Sequence, residues 1–191
     1  DLRMSRGLGD VYKRQVVTGM YSVNGIIYQF DSNGKLVLVK QGWHESNGEK
    51  YYGMPDGTYR VGWLSFGNTY YYCGEDGAIV YGKQKIDGKW YYFDDSGYGQ
   101  SGWKKLGNTW FYFNSQYQML TGWQRINGKW YYLSTGVMEI YGKTYYEGYM
   151  VTGWLQLENK WYYLKSDGSM VTGYYKVGNK TYYFNSSGVM Q

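Results

Sequence analysis

TGWQRINGKWYYL, residues 121–133, decides how this chain folds. Two β-prone runs flank Asn127-Gly128. An Asn-Gly pair in that setting is the strongest short-range hairpin signal, because both central positions of a type I′ turn need positive φ. On the first run Trp123 and Arg125 share one face, and Gln124 and Ile126 take the other. On the second, Trp130 and Tyr132 share a face, with Tyr131 and Leu133 opposite. Aromatic rings thus load both faces of a hairpin, an element only marginally stable alone in water.

The stretch recurs as GWLSFGNTYYYC (62–73), GWKKLGNTWFYF (102–113), GWLQLENKWYYL (153–164) and GYYKVGNKTYYF (173–184). The leading glycines Gly42, Gly62, Gly82, Gly102 and Gly122 keep a period of 20. Gly153 and Gly173 follow a gap of 31, one period plus a surplus of 11. The surplus contains YGKTYYEGYM (141–150), which reads as half a unit with the second strand and not the first. The position of Trp130 recurs as Ile27, Lys50, Tyr70, Trp90, Trp110, Trp161 and Thr181, which gives about eight units. A fixed short period over nearly the whole chain marks a repeat architecture, each unit burying its apolar face on its neighbours.

Asp87-Gly88 fits the same turn, while Gly-Asn at 67–68, 107–108 and 178–179 reverses the order and leaves the turn type open. A second glycine closes most units, at Gly34, Gly57, Gly77, Gly97, Gly136, Gly168 and Gly188, where the chain bends towards the next hairpin. The expected fold is all-β: a solenoid of stacked β-hairpins with about 20 residues per repeat, spanning residues 16–191 and irregular at 134–152. Residues 1–15, DLRMSRGLGDVYKRQ, match no part of the repeat and read as an adapter or cloning artefact, or as a linker.

Composition agrees with this reading. The 191 residues include 27 Tyr, 9 Trp and 29 Gly, so apolar burial must come mainly from rings with polar tips. The net charge is +5, of which Arg3, Arg6, Lys13 and Arg14 against Asp1 and Asp10 supply +2. The remaining +3 is scattered, a solvated surface rather than a nucleic-acid patch. Cys73 is the single cysteine, so no internal disulfide forms. No apolar run is long enough for membrane insertion, and no signal-peptide pattern occurs. His44 is the one histidine and has no nucleophile motif around it. Asp94 and Asp95 are chain neighbours that point to opposite sides, whereas glycoside hydrolysis needs two carboxylates facing each other. No metal or cofactor motif appears. These features offer no recognisable catalytic centre.

The pattern Gly-Trp, four residues, Gly/Asn-x-Trp-Tyr-Tyr-Leu/Phe, then Asp/Ser-Gly-x-Met-x-Thr-Gly resembles the cell-wall-binding repeats of Gram-positive surface proteins, of the choline-binding type. Glucan-binding repeats and the C-terminal repeats of clostridial toxins are relatives. The likeness covers residues 18–191. It implies ligand sites between consecutive hairpins, each a cage of three aromatics, two from one hairpin and one from the next, often with a methionine. Carried onto this sequence, one cage takes Trp103, Trp110 and Trp123, with Met119 nearby. A second takes Trp123, Trp130 and Tyr141 or Tyr145, with Met138. A third takes Trp154, Trp161 and Tyr174, with Met170. The remaining tyrosines, Tyr131 and its equivalents, are assigned to packing. Lys83 and Lys50 stand where other units carry rings, and Met20, Ile27 and Thr181 also replace rings, so those sites are expected to be lost. The implied partner is choline on teichoic acid, at a bacterial cell surface or wall. A glucan or other polysaccharide is the first alternative and a structural or self-association rod the second. Association into a homodimer is left open.

Overall fold

The computed structural model describes residues 16–191, so the reading of residues 1–15 lies outside the described residues. The chain divides into two compact units, residues 16–80 and 81–191. The first holds β1 (Gly19–Val23), β2 (Ile26–Phe30), β3 (Leu36–Val37), β4 (Gly42–Ser46), β5 (Glu49–Gly53), β6 (Gly62–Phe66) and β7 (Thr69–Cys73). The second holds β8 (Gly82–Ile86), β9 (Lys89–Phe93), β10 (Gly102–Leu106), β11 (Thr109–Phe113), β12 (Gly122–Ile126), β13 (Lys129–Leu133), β14 (Met138–Ile140), β15 (Lys143–Tyr145), β16 (Gly153–Leu157), β17 (Lys160–Leu164), β18 (Gly173–Val177) and β19 (Lys180–Phe184). Every strand pairs antiparallel with its sequence neighbour; β3 adds to β2 as a third strand. Among the described residues the structure is all-β, with eight hairpins of five-residue strands and one shorter hairpin.

The turns follow from their residue types. Asn127 and Gly128 have φ of 48° and 81°, and Asp87 and Gly88 have 48° and 78°, as a type I′ turn requires. At Gly67, Gly107 and Gly178 φ is positive, while the asparagine that follows each is not in that region. Glycine at the first central position with positive φ there alone is the type II′ turn, which settles the order left open by the sequence.

Each five-residue-strand hairpin of the second unit places one residue at the centre. Phe93, Phe113, Leu133, Leu164 and Phe184, the last residues of their second strands, are at most 1% exposed. Each stands opposite the glycine that opens the first strand, as Gly102 opposite Phe113. Backbone hydrogen bonds fix how the hairpins of the second unit follow one another. The Met119 amide donates to the Trp90 carbonyl (2.8 Å), Met150 to Trp110 (2.9 Å), Met170 to Trp130 (2.8 Å) and Met190 to Trp161 (2.8 Å). In the first unit Ile79 donates to Lys50 in the same way (2.9 Å).

The irregular segment corrects one expectation. It is not half a unit lacking a first strand: β14 pairs with β15. It is an insertion into a closing turn. In the regular turn Lys165 donates to Ser169 and Gly168 donates back to Lys165; in the irregular one Ser134 donates to Tyr149 and Gly148 donates back to Ser134. Residues 134 and 146 thus occupy the places of 165 and 166, and the surplus of 11 is residues 135–145. Gly148, with φ of 84°, closes this turn. Gly136 does not, since it lies inside the insertion. The inserted Tyr145 is buried with Tyr132, Val151, Leu155 and Leu164, and its hydroxyl donates to the Thr152 carbonyl at 3.1 Å.

Candidate functional site

Each full hairpin has two unlike faces. In β10–β11, Trp103 stands opposite Tyr112 and Lys105 opposite Trp110, so both tryptophans share a face. In β12–β13, Tyr131 pairs with Gln124 on the face away from Trp123 and Trp130. Stacking sets the first kind of face against the second. Trp103 therefore meets Trp110 edge-on at 6.4 Å and Tyr131 of the next hairpin at 4.9 Å. With Met150, Ser166 and Asp167 these rings line a groove of about 290 Å³. Trp110 is 40% exposed, so its ring is open to a ligand.

Met150 is held by its amide bond to Trp110, and its thioether lies where a Cβ on Gly168 would fall. Gly168 also has φ of 81°, so both space and backbone conformation require glycine there. Asp167 accepts from the Ser169 hydroxyl (2.6 Å) and amide (2.9 Å), and Lys129 Nζ lies 3.6 Å from its other oxygen. The Ser169 hydroxyl bond first, then the amide bond and the Lys129 charge, hold this carboxyl below the usual carboxylate range against some desolvation. The groove thus offers three ring faces, a polarisable sulfur and an ionised carboxylate at its edge. A quaternary ammonium has no hydrogen to donate and is held through ring faces, with a nearby anion adding attraction.

Several sequence-assigned groupings change. The third ring beside Trp103 and Trp110 is Tyr131 rather than Trp123, and the methionine is Met150 rather than Met119. Trp123 lies one hairpin on, 5.2 Å from Tyr132 and 5.0 Å from Tyr162. It shares a face with Trp130, to which Met170 is bonded, so Trp123, Trp130, Tyr162 and Met170 repeat the arrangement. Met138 pairs with Tyr145 and packs on the Tyr132–Leu155 core. Tyr141 approaches Trp161 at 6.1 Å rather than Trp130. Trp154 and Trp161 meet at 6.1 Å, and their third ring is Tyr182, 4.9 Å from Trp154. Tyr174 is 80% exposed and lies against Tyr183 at 4.9 Å. The methionine bonded to Trp161 is Met190, not Met170.

Tyr131, Tyr162 and Tyr182, expected to pack, do pack successive hairpins through Trp103, Trp123 and Trp154. Tyr131 also lines the groove with Met150 and Asp167, two residues the sequence reading does not single out. Strand alternation contained the signal: a residue facing away from its own tryptophan faces the neighbouring hairpin. Lys83, at a site expected to be lost, points its ammonium into the groove, 4.5 Å from the Trp90 centroid and 5.0 Å from that of Phe111.

The first unit keeps the same cross-hairpin contact but has Lys50 at the place of Trp110. Trp43 contacts Tyr71 at 4.9 Å, Tyr52 at 5.2 Å and Phe66 at 6.0 Å. Ile27 is buried with Tyr51, Tyr59 and Ala78, with Met20 packed against them, so apolar packing occupies the ring positions there. His44 Nε2 lies 2.6 Å from the Lys40 carbonyl. Asp94 accepts from the amides of Ser96 and Tyr98 and from the Gln100 amide group, which makes it a turn residue. Among the described residues no group of three or more His, Cys, Asp or Glu side chains is placed to hold a metal ion.

Repeated hairpins with aromatic grooves between them define a repeat-built binding class. The chain belongs to the choline-binding, cell-wall-binding repeat family. Residues 151–191 match the choline-binding repeat profile, and residues 61–79, 84–98, 101–116 and 121–138 match the cell wall binding repeat profile. Choline binding protein F from Streptococcus pneumoniae is 36% identical with a TM-score of 0.70, over 86% of this chain and 55% of that one. CbpJ from the same organism is 30% identical with a TM-score of 0.73, over 93% of this chain and 66% of that one. The choline-binding domain of CbpL from Streptococcus pneumoniae is 27% identical with a TM-score of 0.59, over 92% and 97%. The chain therefore spans 55% and 66% of the lengths of the first two. A search of curated proteins gives no match.

Proposed function

We propose that residues 16–191 form a noncatalytic module that holds choline carried on teichoic acid, outside the cell at a Gram-positive wall. The module would anchor a larger exported protein such as a wall hydrolase or an adhesin. The observation that carries this reading is the groove of Trp103, Trp110 and Tyr131 with Asp167 at its edge. Ring faces alone suit either a sugar or a quaternary ammonium, and the ionised carboxylate favours the cation.

Each ring contact contributes roughly 0.5–2 kcal/mol, so one three-ring site binds in about the millimolar range after ordering costs. The arrangement repeats around Trp123–Trp130–Tyr162 and Trp154–Trp161–Tyr182. Several weak sites on one chain would then grip a polymer by multivalency.

Titrating choline while following tryptophan fluorescence tests the reading. A saturable change at about millimolar choline is expected. No change up to tens of millimolar overturns it, and retention on dextran insensitive to choline would favour a carbohydrate ligand instead.

A further inference from the structure

The hairpin before the Trp103 groove carries like parts, with a cation in place of one ring. Trp90 stands for Trp110, Phe111 for Tyr131, Met119 for Met150 and Glu147 for Asp167; Lys83 replaces Trp103. The parts are assembled. Met119 is bonded to Trp90, and its sulfur and the Phe111 ring lie against Gly148. The Trp90 indole N–H donates to Glu147 Oε2 at 3.0 Å. Between the rings sits an ammonium: Lys83 Nζ is 4.5 Å from the Trp90 centroid and 5.0 Å from that of Phe111. Phe111 is 4% exposed and Lys83 half-buried, so water is partly excluded around the charge. Burial pushes the Lys83 ammonium down from its ordinary range, and the Glu147 charge opposes that shift. Lys85 Nζ stands further out, 5.6 Å from Trp90.

We propose that Lys83 is a built-in occupant of a latent cation site, its ammonium lying between Trp90 and Phe111 where a free quaternary ammonium would otherwise lie. A tethered cation loses no translational freedom on docking, so it outcompetes millimolar free ligand. It also excludes that ligand by both volume and charge. The groove becomes a permanent clamp: one side chain of β8 reaches rings on β9 and β11, and the Glu147 carboxylate of the 146–149 turn completes it. The closed site at the start of the second unit then differs from the open ones after it chiefly in carrying Lys83 where they carry a tryptophan.

The occupancy is tested without any ligand; the latent-site half rests on the reading under "Proposed function". In the unmodified chain the Lys83 ε-methylene proton resonances, assigned through Lys83→Arg, are expected upfield of the other lysines' by ring currents. Lys83 is also expected to be the slowest lysine to accept reductive methylation. Resonances within the common lysine envelope overturn the proposal, whatever the chain binds. Lys83→Trp, which supplies a third ring, is then titrated with tetramethylammonium in parallel with the unmodified chain. One additional bound equivalent, with the Trp90 indole N–H resonance shifting, is expected. An unchanged stoichiometry in a folded Lys83→Trp chain overturns the latent site. An unmodified chain that binds no tetramethylammonium overturns the function reading instead, and the ring-current result alone then decides for Lys83.

Discussion

Tyr131 and Trp103 belong to successive hairpins, yet their rings meet edge to face at 4.9 Å with planes at 65°. The same contact recurs as Trp123 with Tyr162 at 5.0 Å and Trp154 with Tyr182 at 4.9 Å. The tyrosine that faces away from its own hairpin's tryptophans completes the groove of the hairpin before it. A groove is therefore built across successive hairpins, and a single hairpin has none.

Replacing Tyr131 by Ala should weaken choline binding at Trp110 by about 2- to 30-fold, the equivalent of roughly 0.5–2 kcal/mol for one ring. Tyr131→Phe keeps the ring and should bind nearly as the unmodified chain does. Trp123→Ala removes a ring from the following groove and should leave Trp110 responsive. The readout is the Trp110 indole N–H resonance during a choline titration. Full affinity at Trp110 in Tyr131→Ala would remove Tyr131 from the site.

Asp167 supplies the acid-dependence. Its folded-state carboxyl is held below its ordinary value, so its contribution to stability is present above the unfolded pKa and is lost as pH falls through the lower folded value. Cation binding at the Trp103 groove should follow the same ionisation. It should stay flat from neutral pH down through the usual carboxylate range and fall only below it. Asp167→Asn should bind choline more weakly at neutral pH and lose the acid-side fall at this groove. A variant and a parent with identical pH profiles at Trp110 would exclude the carboxylate from binding.

The repeat and the hairpins were legible because an Asn-Gly turn and a period of 20 are local facts of the chain. Pairing across hairpins was less legible, because it depends on which faces meet, and TGWQRINGKWYYL alone does not state that. The two faces of Trp130 and Tyr131 follow from strand alternation, and Tyr131 does pack successive hairpins together. That the same ring lines a groove shows only once the facing hairpin is known. The insertion at 135–145 misled for a similar reason. Gly136 has turn chemistry, while the turn's hydrogen bonds run from the Ser134 amide to Tyr149 and from the Gly148 amide back to Ser134, across residues that no local pattern connects. Tyr117 marks another exchange. It has φ of 63° at the place taken by Gly168 and Gly188, and Gly99 stands in the turn before it where other units carry Met119, Met150 or Met170.

Cys73 gives a probe of the first unit. It is 0% exposed, and burial pushes its thiol up to about 11. Its neighbours in that cluster are Tyr71 and Ile79, with Leu64 packed against them. A thiol pKa raised by about two units lowers the thiolate fraction about 100-fold near neutral pH, before access is considered. Native labelling with a maleimide should therefore be at least that much slower than labelling in denaturant. Because the folded value is raised, this group's stability contribution is present below the unfolded thiol pKa and is lost as pH rises towards 11. Rapid stoichiometric labelling of the folded chain at pH 7 would contradict the buried placement.

Glu158 and Asn159 form the turn of β16–β17 with φ of 49° and 63°, both in the left-handed region and neither glycine. Left-handed backbone costs a side chain with a Cβ roughly 1–2 kcal/mol, least for Asn, and a type I′ turn prefers Asn-Gly. Glycine at the second place relieves that strain, at some cost from the extra freedom it gives the unfolded chain. The double substitution Glu158→Asn with Asn159→Gly should therefore stabilise the second unit by about 1 kcal/mol. The reverse exchange, Asn127→Glu with Gly128→Asn, should destabilise by a similar amount, since that turn already has the preferred pair. Urea unfolding followed by tryptophan fluorescence measures both, and a pure stability change moves the midpoint without changing the slope. If the first variant unfolded at lower urea than the parent, side-chain contacts of Glu158 rather than turn conformation would govern this hairpin.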